Sequence, residues 1–221
     1  MKKVFGFILL LLVAFAAYWF LIRKGEKKPK GPKMQPVAVK QHSDTFNVAV
    51  DNLMATYFAM KDAFVDADTA KAKAEARKFN VLIDSIPLKE LQKDDSLIVA
   101  TAAANITDIK LNVDALLQQT DITLMRQDFR TVSDMLYPSF FKTINYEGPA
   151  LYLQNCPMAF DGDKDANWIS NSNEVINPYL GKNHPKYKGT MLNCGEVKDS
   201  IVSKQACQIF LAKPERLIQR E

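Results

Sequence analysis

Apolar residues recur three and four positions apart through much of this chain, which is the period of a helix with one buried face. After Ser43-Asp44, both good N-caps, the residues Phe46, Val50, Leu53, Tyr57, Met60 and Phe64 line one such face. Asp68 caps a second helix with the stripe Ala72, Ala76, Phe79, Ile83 and Ile86, and Pro87 closes it. A third runs from about Asp94, with Ile98, Ala102, Ile106, Ile109, Val113 and Leu116 inward. Thr120-Asp121 breaks that helix, and a fourth follows with Met125, Phe129, Val132, Leu136 and Phe140. Four amphipathic helices with short polar connections predict a mainly α fold, an antiparallel four-helix up-and-down bundle. No helix carries inward Glu-x-x-His pairs, so the bundle reads as scaffold.

The pattern changes after Gly148-Pro149. Leu151-Tyr152-Leu153-Gln154 suggests a short strand, and Val197 to Ile201 a partner strand or a short helix. The expectation is a loop-rich C-terminal region carrying a short β element. At the other end, Val4 to Ile22 holds 19 consecutive residues without a charge, enough for a helix of about 28 Å. The domain plan is therefore a signal anchor or transmembrane helix over 1–23 and a Lys/Pro-rich linker over 24–43. The helical domain follows over 44–201, with its Cys/Met loop at 156–195, and a tail over 202–221. Cleavage after Ala14-Phe15-Ala16 is the alternative to an anchor, although it leaves an apolar mature start.

Charge refines this plan. Residues 1–40 contain nine Lys or Arg and a single acid, which leaves residues 41–221 with four more acids than bases. A nucleic-acid binder carries its basic excess on the folded domain, so nucleic acid is not an expected partner. The bases after the apolar run outnumber those before it, which by the positive-inside rule favours a cytoplasmic domain. The N-terminal position of the sole apolar run favours export, and an inner-membrane anchor at residues 4–22 with the domain in the periplasm is the expectation.

The candidate chemistry is concentrated in one stretch: Cys156-Pro157-Met158, Trp168, Asn177-Pro178-Tyr179, His184-Pro185 and Met191-Leu192-Asn193-Cys194-Gly195. Thiolate, thioether and imidazole select monovalent copper or zinc over hard ions. Cys156, Met158, Met191 and Cys194 are the candidate ligands, His184 is a further one, and Trp168 is a candidate aromatic cover. The competing reading is a Cys156–Cys194 disulfide that closes a loop, with the methionines as core filling. Asp163, Asp165, Asn167 and Glu174 match part of a calcium-loop formula, but Trp168 stands where that loop needs glycine. No serine-hydrolase, P-loop or dinucleotide fingerprint is present, and an enzyme is not expected.

The strings Leu151–Ala159, Trp168-Ile169-Ser170, Ile176–Gly181 and Met191–Gly195 resemble the domain-of-unknown-function family 3347. The resemblance implies a small exported, membrane-tethered protein of Gram-negative bacteria, in a domain also appended to adaptor subunits of heavy-metal efflux pumps. It further implies a copper or silver resistance setting, in which such an adaptor or another envelope protein is the partner and a copper ion the cofactor. It places the Cys-Pro-Met and Met-x-x-Cys-Gly elements at Cys156, Met158, Met191 and Cys194. Cys207 lies outside the motif.

Overall fold

The computed structural model describes residues 41–160 and 164–202. The chain divides into two compact units, Met1–Gln35 and Pro36–Glu221, and every described residue lies in the second. The predicted membrane span, most of the linker, and the tail with Cys207 fall outside the described residues. No described helix is long and apolar enough to cross a membrane.

Four long helices lead the described chain: α1 (Asp44–Val65), α2 (Thr69–Ile83), α3 (Ser96–Gln118) and α4 (Ile122–Asp134). Each begins on a side-chain cap that accepts from the first-turn amides: Ser43, Asp68, Asp95 and Asp121 respectively. All the stripe residues expected from periodicity are buried, and they join in one core. Successive helices pack against each other, α1 on α2, α2 on α3 and α3 on α4.

Two local features depart from the sequence reading. Helix α2 ends at Ile83, and a 3-10 turn (Leu88–Lys93) follows Pro87. The predicted fourth helix does not run unbroken to Phe140. Tyr137 leaves helical geometry (φ −118°, ψ 125°) within the π-type turn Met135–Phe140, before α5 (Phe141–Ile144). The cause is Pro138, which has no N–H and sterically drives the residue before it out of the α region. Leu136, Tyr137 and Phe140 nevertheless stay buried.

The C-terminal part is more regular than the expected loop. Strands β1 (Leu151–Phe160), β2 (Lys164–Ser170) and β3 (Glu196–Ile201) form an antiparallel sheet in the order β2-β1-β3. Strand β1 runs past the predicted Gln154 and through Pro157. A proline cannot donate to a ladder, and here the pairing skips it, moving from Cys156 opposite Ala166 to Phe160 opposite Lys164. Strand β2 has no counterpart among the elements expected from the sequence. Its Asp165 and Asn167, part of the calcium-loop pattern, sit in a paired strand rather than a coordinating loop. Asp163 lies outside the described residues.

A polar joint fastens the sheet to the helices. The Tyr57 hydroxyl on α1 donates to Ser133 Oγ (2.6 Å) and accepts the Ile169 amide of β2 (3.0 Å), while Ser133 Oγ donates to the Phe129 carbonyl. Asn167 Nδ2 donates to Asp134 Oδ1 at 2.8 Å. Tyr57→Phe strands the buried Ile169 N–H and is expected to cost about 1–3 kcal/mol. Urea denaturation measures this, and a cost near zero would show that the joint does not hold the sheet.

Candidate functional site: a cysteine pair under a laced loop

Strand β1 brings Cys156 to the middle of the sheet, fully buried. Cys194 arrives from the far end of the segment 171–195, half-buried, with only Gly195 between it and β3. Both are free thiols, with their Sγ atoms 2.7 Å apart across a separation of 38 positions. Burial, reinforced by the neighbouring Cys156 sulfur, pushes the Cys194 thiol up to about 12. The Cys194 thiol therefore stays protonated at neutral pH.

The loop's own polar residues fix this approach. Asn177 is the organiser. Its Nδ2 donates to the Cys194 carbonyl (2.8 Å), and its Oδ1 accepts the amides of Tyr179 (2.8 Å) and Leu180 (3.0 Å). Its backbone N–H reaches the Leu192 carbonyl at 2.8 Å, and Asn193 Nδ2 reaches the Val175 carbonyl at 2.8 Å. The two ends of the loop, 175–180 and 191–195, are thereby laced together. Gly195 completes the arrangement. It has φ +138°, and a Cβ there would lie 2.7 Å from the Asn155 carbonyl oxygen and 2.9 Å from the Trp168 ring. Only glycine lets the chain pass this close to β1 and β2.

Below the loop lies an aromatic cluster centred on Tyr179. Its ring meets Phe160 (5.3 Å, edge-on), Trp168 (5.9 Å, edge-on) and Phe129 of α4 (6.1 Å). Its hydroxyl donates to the Asn167 carbonyl. Trp168 is fully buried, and its indole N–H has no hydrogen-bond partner among the described residues. It is a packing anchor within the core.

The remaining candidates fall in different places. Met158 and Met191 are half-buried and pack against the main core. His184 organises its own turn: Nδ1 accepts the amides of Lys186 (3.2 Å) and Tyr187 (3.3 Å), and the ring stacks on Tyr187 at 4.9 Å. Desolvation, helped by the charges of Arg126 and Lys186, lowers its pKa. Among the described residues no three His, Cys, Asp or Glu side chains gather as a group able to hold a metal ion. The structure thus unites Cys156 with Cys194 and leaves His184 outside that pair.

Sequence reading overlooked the residues that seat the loop on α1. Arg126 is buried, and its Nη2 donates to the Phe64 carbonyl at 2.7 Å. Desolvation pulls the guanidinium down to about 10. The Lys182 amide takes the Val65 carbonyl (2.8 Å), Asn183 Nδ2 takes the Asp66 carbonyl (3.0 Å), and Lys182 Nζ pairs with Asp66 (2.8 Å). Together these satisfy the carbonyls that a helix C-terminus leaves unpaired, and they set cations at its negative end. One signal was present in the sequence: Arg126 sits beside Met125 and three residues before Phe129, at the edge of an apolar stripe.

Residues 53–146 match the family described as Protein of unknown function (DUF3347). This is the family that the loop strings resemble. The match begins in α1 and ends at Tyr146, so it covers the helices and stops short of the sheet and the cysteine pair. No curated protein and no solved structure matches the chain.

Proposed function

We propose that this protein is a non-catalytic interaction module of the cell envelope, tethered to the inner membrane through residues 4–22, with its domain in the periplasm. In this reading a Cys156–Cys194 disulfide staples the sheet and its loop onto the helical scaffold. The observation that carries it is the 2.7 Å contact between the two sulfurs. Closing to a disulfide bond of about 2.05 Å needs only a small movement. Two thiolates sharing a tetrahedral zinc stand about 3.8 Å apart, given Zn–S bonds of about 2.3 Å, so ligation requires the pair to open. The scaffold itself is read as an antiparallel up-and-down bundle. Sequential helix packing supports this, as do the ring contacts of Tyr57 (5.1 Å) and Phe64 (5.0 Å) on α1 with Phe129 on α4.

The test is mass spectrometry of protein isolated from the envelope under non-reducing conditions. A bridge between 156 and 194 is the expected result, and a reduced pair overturns the reading.

A second reading keeps the cysteines reduced and has them bind monovalent copper with Met158 and Met191, for delivery to a heavy-metal efflux adaptor. It is favoured by the placement of those two thioethers, half-buried on the same two segments that carry the thiols. Titration of the reduced chain with monovalent copper separates the two readings. Tight binding that Cys156→Ala, Cys194→Ala abolishes establishes the metal reading, and indistinguishable affinity removes it.

A further inference from the structure

The two sulfurs of the pair are chemically alike but sterically unequal. Cys156 lies in the central strand, has no exposed surface, and pairs with Ala166 of β2, one residue past the end of the β1–β3 ladder at Asn155. Cys194 lies at a loop end, half-buried, with the exposed Asn193 before it and the half-buried Gly195 after it. Its backbone is already held in place, since its amide donates to the Met191 carbonyl (3.0 Å) and its carbonyl accepts from Asn177 (2.8 Å). Thiol–disulfide exchange is an in-line displacement at sulfur, so the incoming group needs a clear path to the sulfur it meets. Cys194 keeps exposed surface through which a partner can approach, and Cys156 has none.

We infer that Cys194 is the entry sulfur of this pair, the site at which a disulfide-bearing oxidant exchanges with the protein, and that Cys156 is the resolving sulfur. This rests on the staple reading given above. In the first step the Cys194 thiol gives up its proton to solvent, and its sulfur attacks one sulfur of the oxidant's disulfide. A mixed disulfide forms on Cys194, the oxidant's S–S bond breaks, and its other sulfur leaves with the electron pair and takes up a proton. In the second step Cys156 Sγ attacks Cys194 Sγ and gives its proton to solvent. The 156–194 bond forms, and the remaining half of the oxidant departs as a thiolate. The pair loses two electrons and the oxidant's disulfide gains them. By microscopic reversibility, a reductant enters through the same sulfur.

The test uses the full chain with Cys207→Ser, to remove the third thiol, and oxidised glutathione as the probe. With Cys156→Ser added, a stable glutathione adduct on Cys194 is expected. With Cys194→Ser added instead, the folded protein is expected to gain its adduct on Cys156 about tenfold more slowly or worse, because access limits exchange. In urea the two variants should react at similar rates, which shows that both thiols are intact. Equal rates in the folded state, or faster reaction at Cys156, overturns the inference. The staple reading fails separately: the parent with both cysteines, treated with the same oxidant, would then yield glutathione adducts and no 156–194 bridge.

Discussion

Replacing Tyr179 with alanine is expected to destabilise the domain by about 3–5 kcal/mol, the range for removing a large buried aromatic side chain. Tyr179 is fully buried and stands between three partners of different origin: Phe160 on β1, Trp168 on β2 and Phe129 on α4. No other described ring touches both the hairpin and the helices from the loop. Its loss opens a cavity where sheet, loop and helix meet, and leaves Leu180 as the loop's one remaining fully buried apolar side chain. Tyr179→Phe keeps the ring and loses only the hydroxyl that donates to the Asn167 carbonyl, for which about 1 kcal/mol is expected. Urea denaturation of the three proteins, followed by circular dichroism, gives both numbers. Near-equal costs for the two variants would show that the hydroxyl, and not the ring, seats the loop.

Closing the Cys156–Cys194 bond is expected to stabilise the domain by about 4 kcal/mol. Joining residues 38 positions apart removes that much loop-closure freedom from the unfolded chain in the entropy model. For a folded unit of this size the gain corresponds to a rise in Tm of about 8–16 °C. Scanning calorimetry of the oxidised and reduced chain measures it. Native geometry takes little from the gain, because the sulfurs already touch and Asn177 holds the Cys194 carbonyl in place. A Tm difference within error would mean that the unfolded state, or strain in the folded one, cancels the staple.

Both expectations concern groups whose residue types stood out in the sequence and whose partners did not. Asn177-Pro178 reads as a turn, and it is one, but nothing local reveals that the Asn177 side chain holds the chain beside Cys194. Gly195 reads as a positive-φ residue, and φ +138° agrees. That it must also clear the Trp168 ring depends on a strand 27 positions earlier. Trp168 falls within the Cys/Met loop expected over 156–195, because the acidic and amide residues before it carry no clean alternation. Strand β2 forms because β1 offers it a ladder, and its own residues give little sign of it.

The sequence by itself determined the helices. Their caps at Ser43, Asp68, Asp95 and Asp121 and their apolar stripes depend on interactions within a few residues, where spacing alone says which side chains share a face. The break at Pro138 is equally local, and it was legible in principle from a proline within an apolar stripe. The tertiary structure alone decided the rest: which strands pair, which carbonyls at the end of α1 receive Arg126 and the loop, and which of the soft donors meet. Those outcomes depend on contacts between residues tens of positions apart, which arise only once the chain has closed on itself. Of the soft side chains clustered between 156 and 195, folding brought two thiols into contact and gave His184 a turn of its own to organise.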